Sequence, residues 1–172
     1  NEALKIKNDF AEVYNNQGII FRKLKDFDKS LQFLKKAIEL KPNYSEAFNN
    51  TGNTFNDIGN KEEAIRNYKK AIQLNPDYLD AYLNIGTCYQ ELKNYNEAKE
   101  NYLKVKEIDP YYEFINGKIL HLNMNICNWE TFYDEKKIIE SSITNKGIVD
   151  PFLFLSASDN PEVHKKLSEN YI

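Results

Sequence analysis

The sequence predicts an all-α solenoid built from stacked helix pairs, with a non-repeat helical extension at its C-terminal side. Two columns of punctuation residues carry that expectation: prolines return at Pro42, Pro76 and Pro110, and glycines at Gly18, Gly52 and Gly86, both every 34 residues. Such a period marks a repeat architecture, in which each unit buries its apolar face only against its neighbours. A third observation is the agreement of independent columns in the same frame. Aromatic residues fall at Tyr14, Phe48 and Tyr82 and again at Phe21, Phe55 and Tyr89, while Ser30, Ala64 and Ala98 form a small-residue column.

Within a unit, apolar residues recur at helical spacing over Ala47, Phe48, Thr51, Phe55 and Ile58, then over Ala64, Ile65, Tyr68, Ala71 and Ile72. This is the pattern of two amphipathic helices. Gly59-Asn60 predicts the end of the first, because glycine tolerates the left-handed conformation at a helix C-terminus. Asn75-Pro76-Asp77 predicts the end of the second, since proline disfavours helix at the residue before it. Gly52 and Ala64 lack bulk where the paired helices cross, so the backbones are expected to approach to about 8–10 Å. A larger residue at the glycine column should therefore disrupt the stack.

These columns resemble those of the tetratricopeptide repeat, with Gly18, Gly52 and Gly86 in the glycine column and Pro42, Pro76 and Pro110 closing each unit. The resemblance covers roughly residues 11–112 and implies a right-handed superhelix. It divides the chain into repeats at 11–44, 45–78 and 79–112, with 1–10 as the end of a preceding partial repeat and 113–172 as a capping helix plus extension. The frame runs backwards because Lys7-Asn8-Asp9-Phe10 aligns with Lys41-Pro42-Asn43-Tyr44. A start inside a repeat is what a truncated array would show, and its exposed half-repeat is a surface for self-association.

Asparagines recur at Asn16, Asn50 and Asn84, four residues after Glu12, Glu46 and Asp80, so each pair shares one helix stripe. The resemblance implies that this stripe lines a concave groove. An amide offers an acceptor and a donor together, so a ladder of three can engage the backbone of an extended peptide without reading its side chains. Neighbouring first helices about 9–10 Å apart and a strand rise of about 3.3 Å give one rung for roughly three ligand residues. Asn49, Asn53, Glu46 and Asp80 are the expected groove neighbours. The competing expectation is compositional: Asn15, Asn49, Asn53 and Asn56 are also present, and all would be solvated helix surface. A cationic clamp for a terminal carboxylate is disfavoured, since the places that would carry cations hold Asn15, Asn49 and Leu83. Lys118 is the exception, beyond the regular array.

After Pro110 the period decays. Tyr111 to about Ile126 still reads as a helix, but Leu120 stands where glycine is expected. Residues 130–145 suggest another helix, Pro151–Leu155 a buried run and Asp159-Asn160-Pro161 a helix start. The segment His121-Leu122-Asn123-Met124-Asn125-Ile126-Cys127-Asn128-Trp129, followed by Pro151-Phe152 and Asp159-Asn160-Pro161-Glu162, resembles the region that joins repeats to catalytic lobes in O-GlcNAc-transferase-like glycosyltransferases. In that family Asp usually stands where this chain has Asn128. The resemblance implies recruitment of acceptor proteins for sugar transfer, with the catalytic lobes outside this sequence.

Composition bounds the remaining classes. With 172 residues, 41% hydrophobic and 28% charged, the chain can bury a core. A net charge of −3 and the lack of a basic block argue against nucleic acid as a partner, and no apolar run is long enough for a membrane span. Cys88 and Cys127 are distant in sequence and form neither a disulfide framework nor a CxxC metal pair, so both are expected to be small core residues in a reducing, cytoplasmic setting. His121 and His164 lack clustered partners for a metal. No phosphate loop or nucleophile elbow is present. No catalytic residue, metal or cofactor is therefore expected of this segment, and the partner is a protein or extended peptide. A stand-alone scaffold and a self-associating module are the alternatives to a recruiting arm.

Overall fold

In the computed structural model the described residues are 2–112, 114–127 and 136–137, with side chains from Phe10 onward. Among them the secondary structure is entirely helical: α1 (Glu2–Lys23), α2 (Phe27–Leu40), α3 (Ser45–Ile58), α4 (Lys61–Leu74), α5 (Leu79–Glu91), α6 (Tyr95–Ile108) and α7 (Ile115–Asn125). The chain divides into two compact units, 1–88 and 89–172. In the first, α1 packs on α2, α3 on α4 and α2 on α3, and α1 also touches α3. In the second, α6 packs on α7.

The glycine column acts as the sequence predicts. A Cβ at Gly18 would stand 2.5 Å from Leu34 Cγ, and one at Gly52 2.5 Å from Tyr68 Cε1. Leu34 and Tyr68 occupy one repeat column and are almost fully buried. Each inserts into the space the glycine leaves, and burial of such a side chain contributes about 1.5–3 kcal/mol. Phe33 stacks on Phe21 at 5.1 Å and on Tyr14 at 6.1 Å, filling the groove between α1 and α2.

The turns repeat as closely as the helices. Gly59 ends α3 in the left-handed region at φ 91°, and the same column holds Lys25 at φ 60° and Lys93 at φ 61°. All three sites have the same backbone closure: Asp26 N–H donates to Phe21 C=O, Asn60 N–H to Phe55 C=O, and Asn94 N–H to Tyr89 C=O. This is the Schellman pattern. Only Gly59 adopts it without a Cβ penalty, so the two lysines hold a conformation imposed by the repeat. The next residue caps the following helix: Asp26 Oδ1 accepts from Lys29 N–H and Asn60 Oδ1 from Glu63 N–H. At the proline turns, Tyr44, Tyr78 and Tyr112 N–H donate to Lys41, Asn75 and Asp109 C=O.

The N-terminal boundary is not marked by a turn. Residues 1–10 are expected to be the end of a preceding partial repeat, and α1 runs unbroken across that boundary from Glu2 to Lys23. Asn8 stands where Pro42 and Pro76 break the later repeats. Asparagine keeps its N–H and has no ring to clash with the preceding turn, so nothing there stops the helix.

The C-terminal expectations are met in part. α7 occupies the expected span, and Leu120, at the glycine column, is buried. Its N-cap, Phe114, has φ 64°. Cys88 is buried, but Cys127 is exposed, with φ 53°, because it follows the end of α7 and has no facing helix among the described residues. Of the helix expected over 130–145, only 136 and 137 are described, and both are helical. Trp129, Pro151–Leu155, Asp159-Asn160-Pro161 and His164 lie outside the described residues.

Candidate functional site

The glutamate, asparagine and tyrosine columns of the first unit meet on the face shared by α1, α3 and α5. One turn of helix places Asn16, Asn50 and Asn84 over Glu12, Glu46 and Asp80, and all three carboxylates are exposed. The adjacent column behaves differently. Asn15 and Asn49 are only 5% exposed, against the expectation that they would be solvated surface.

Their burial follows from an amide relay between repeats. Asn50 Nδ2 donates to Asn15 Oδ1 at 2.9 Å, and one repeat later Asn84 Nδ2 donates to Asn49 Oδ1 at 3.2 Å. Asn84 also donates to Asn53 Oδ1 at 3.1 Å, and Asn53 accepts from the Tyr68 hydroxyl at 2.8 Å. Buried amides need such partners, since an unpaired one loses its full hydration. Arg22 Nη1 lies 3.7 Å from Asp57 Oδ2, adding an ion pair between α1 and α3.

The relay changes what the expected ladder offers. Asn16 is exposed, and its side chain bonds to no described residue, so donor and acceptor are both open. Asn50 uses one N–H, and Asn84 uses both. The side-chain oxygens, Oδ1 of Asn50 and of Asn84, accept from no described residue. The ladder is therefore bidentate at Asn16 and acceptor-rich towards Asn84, not uniform as its sequence spacing suggests. Replacing all three by alanine also removes internal bonds at two of them, so it does not leave the fold untouched.

Two tyrosines close the face. The Tyr78 hydroxyl bonds to Asn49, and its pKa is pushed from the ordinary 10.0 to about 12. Burial is the largest cause, followed by the carboxylates of Glu46 and Asp80; the Asn49 bond opposes them by favouring the phenolate. Tyr44 is raised for the same reasons, by burial and then by Glu12 and Glu46. Lys41 Nζ sits 4.3 Å from the Tyr44 ring centre.

The raised value links Tyr78 to stability. Its contribution is complete below pH 10 and is lost as pH rises from 10 through about 12, because the unfolded chain loses the proton first. Tyr78 is half-buried, so solvent screening reduces the effect. In an ultraviolet phenolate titration, Tyr78→Phe should remove a fraction that ionises last. If the fraction removed ionises near the ordinary value of 10.0, Tyr78 does not sense its burial or these carboxylates.

Among the described residues, no group of three or more His, Cys, Asp or Glu could hold a metal ion, and no helix is long and apolar enough to cross a membrane. Lys118, the exceptional cation, sits over the Tyr102 ring at 5.4 Å.

Comparison with known proteins agrees with this geometry. A family profile described as "Tetratricopeptide repeat" matches residues 11–44 and 79–112, a second of that description matches 33–66, and a "TPR repeat" profile matches 52–93. Together they run without a gap from 11 to 112. The chain belongs to the tetratricopeptide-repeat (TPR) family.

A search of curated protein sequences returns no significant match. Among solved structures, the TPR chain is similar to the first TPR of Spaghetti (RPAP3) bound to the HSP90 peptide SRMEEVD, at 20% identity and TM-score 0.65, covering 70% of this chain and 96% of that one. The TPR domain of Arabidopsis OM64 matches at 22% identity and TM-score 0.64, covering 69% and 98%. MamA matches at 23% identity and TM-score 0.65, covering 98% and 86%. At these identities the likenesses establish the TPR fold and carry nothing about the glycosyltransferase resemblance.

Proposed function

We propose that the α1–α3–α5 face of this TPR protein captures an extended polypeptide segment, through its backbone N–H groups and its basic side chains. The observation that supports this most is the relay itself. It fixes Asn50 and Asn84 by internal bonds while leaving their side-chain oxygens free to accept, beside the open amide of Asn16 and the exposed carboxylates of Glu12, Glu46 and Asp80. Fixed acceptors lose little entropy when a guest's N–H groups arrive. Each net bond contributes about 0.5–1.5 kcal/mol, so affinity through this face is modest.

The acidic column also sets the sign of the guest. A ligand with an acidic C-terminus meets three carboxylates and no clamp cation at Asn15, Asn49 or Leu83. The HSP90 peptide held by the RPAP3 domain is of that acidic kind, so this chain differs from that neighbour in ligand preference. In fluorescence anisotropy, a Lys/Arg-containing extended peptide should bind and SRMEEVD should not. Asn16→Ala combined with Glu46→Gln and Asp80→Asn should weaken binding about tenfold, matching the loss of roughly 1.4 kcal/mol, with helicity unchanged. Equal affinity for both peptides, or an unchanged affinity in the variant, would reject the reading.

The sharper reading is that the captured chain is an acceptor for an O-GlcNAc-transferase-like enzyme, which rests on the sequence from His121 to Trp129 and from Asp159 to Glu162. A nucleotide-sugar lobe encoded in the same reading frame beyond Ile172 would support it. A frame without one leaves a scaffold that uses the same face.

A further inference from the structure

The second repeat leaves open a groove that the first repeat fills with its own side chain. In the first, Phe33 of α2 stacks on Phe21 and Tyr14 of α1 at 5.1 and 6.1 Å. Lys36 Nζ lies 5.6 Å from the ring centres of both Tyr14 and Phe33. Moving 34 residues along the chain gives Phe48 for Tyr14, Phe55 for Phe21 and Lys70 for Lys36, but Asn67 for Phe33. The aromatic floor and the cation recur, and the ring between them does not.

Asn67 does not take the ring's place. Its Nδ2 donates to the backbone oxygen of Glu63, one turn back on α4, at 2.8 Å. What remains is a cavity of about 420 Å³ lined by Phe48, Arg66, Asn67, Lys69, Lys70 and Gln73, within the range of about 300–1,000 Å³ that seats ligands. It belongs to the middle repeat, with α1 and α2 before it in the chain and α5 after it, so no terminus creates it. The rim is also more cationic than around Phe33. There the equivalent positions hold Gln32, Lys35, Lys36 and Glu39, and Lys35 faces Glu39 at 4.0 Å. With Arg66 for Gln32 and Gln73 for Glu39, one cation is added and the carboxylate is lost. Arg66 pairs with Glu63 at 2.6 Å, outside the lining, and Lys70 Nζ meets the neutral amide oxygen of Gln73 at 3.3 Å. No carboxylate lines the cavity.

An aromatic ring suits the floor, and carboxylates beside it suit the rim. We propose that this cavity between α3 and α4 docks an aromatic side chain of a partner protein, presented in a segment rich in Asp and Glu. The first repeat supplies the template for the seated guest. The guest's ring lies against Phe48 as Phe33 lies against Tyr14, with Lys70 over it as Lys36 is over Phe33. Its carboxylates meet Arg66, Lys69 and Lys70. The site is separate from the amide face, because Phe48 is two residues from both Glu46 and Asn50, about 200° round α3. Opposite sides of one helix thus take guests of opposite charge.

The probe is a fluorescein-labelled short peptide of Asp and Glu with one central phenylalanine, and anisotropy with the whole chain reads its binding. It should bind, and the same peptide with a central alanine should bind about tenfold more weakly or worse. Asn67→Phe supplies the ring of the first repeat within the chain, so it should abolish binding while keeping helicity and raising the melting temperature. Arg66→Gln with Lys70→Gln, both at exposed positions, should keep the fold and weaken binding about tenfold. The Asn16→Ala/Glu46→Gln/Asp80→Asn chain should bind this probe at least as tightly as the parent, which keeps the two faces distinguishable. No binding by the parent, equal affinity for the alanine peptide, or a folded Asn67→Phe chain that still binds overturns the proposal. So does unchanged affinity in Arg66→Gln/Lys70→Gln, or loss of the probe in the amide-face variant.

Discussion

Gly52→Val is expected to destabilise the first unit by about 3 kcal/mol, the upper end of ordinary overpacking, and to lower its melting temperature by roughly 12–24 °C. A Cβ at Gly52 would stand 2.5, 2.6 and 3.0 Å from three carbons of the Tyr68 ring. The ring has nowhere to move. Tyr68 is 1% exposed, and its hydroxyl donates to Asn53, which also accepts from Asn84. Displacing it therefore disturbs the helix crossing and the amide relay together. Gly52→Ala tests the sign, because alanine is favoured over glycine inside a helix by about 1 kcal/mol. A net loss shows that the close approach outweighs the backbone gain. Circular dichroism melting checks both, and a neutral Gly52→Val would mean that α3 and α4 do not cross this closely.

Asn49→Ala should lower stability by about 2–3 kcal/mol through the polar groups it leaves unpaired, whereas Asn16→Ala, at an exposed position, should change it by less than about 0.5 kcal/mol. Asn49 joins two partners: its Oδ1 accepts from Asn84, and its amide bonds the Tyr78 hydroxyl. Its loss leaves a half-buried phenol and a relay donor without their partner. Urea unfolding of the two variants side by side is the measurement. Equal, small losses would show that the relay does not hold α5 to α3. The Tyr78 titration adds an independent readout, since removing a bond that favours the phenolate should push its pKa further up.

Much of the fold was legible because each column of the 34-residue frame has a local meaning. Pro42 and Pro76 remove an N–H, Gly59 accepts a left-handed turn, and Gly18 and Gly52 admit Leu34 and Tyr68. Other features were less direct. The left-handed Lys25 and Lys93 carry no local signal, and only their position beneath Gly59 in the frame identifies them. The unbroken α1 is readable only from Asn8, which stands in the proline column without proline's missing N–H. Cys127 looked like a core residue beside an aromatic residue, and the structure leaves it exposed.

At the candidate site the sequence supplied the columns but not their roles. Neighbouring positions on a helix differ in direction by about 100°, so Asn15 and Asn16, or Asn49 and Asn50, have the same composition and spacing but opposite environments. The repeat period, the helix pairs, the turns and the close crossings at glycine follow from the sequence alone, because they depend on backbone sterics and hydrophobic spacing within one unit. Which asparagine is buried, which bonds across repeats and which oxygen is left to accept follow only from the tertiary structure, because the packing of α1 against α3 and of α3 against α5 sets the rotation of each helix.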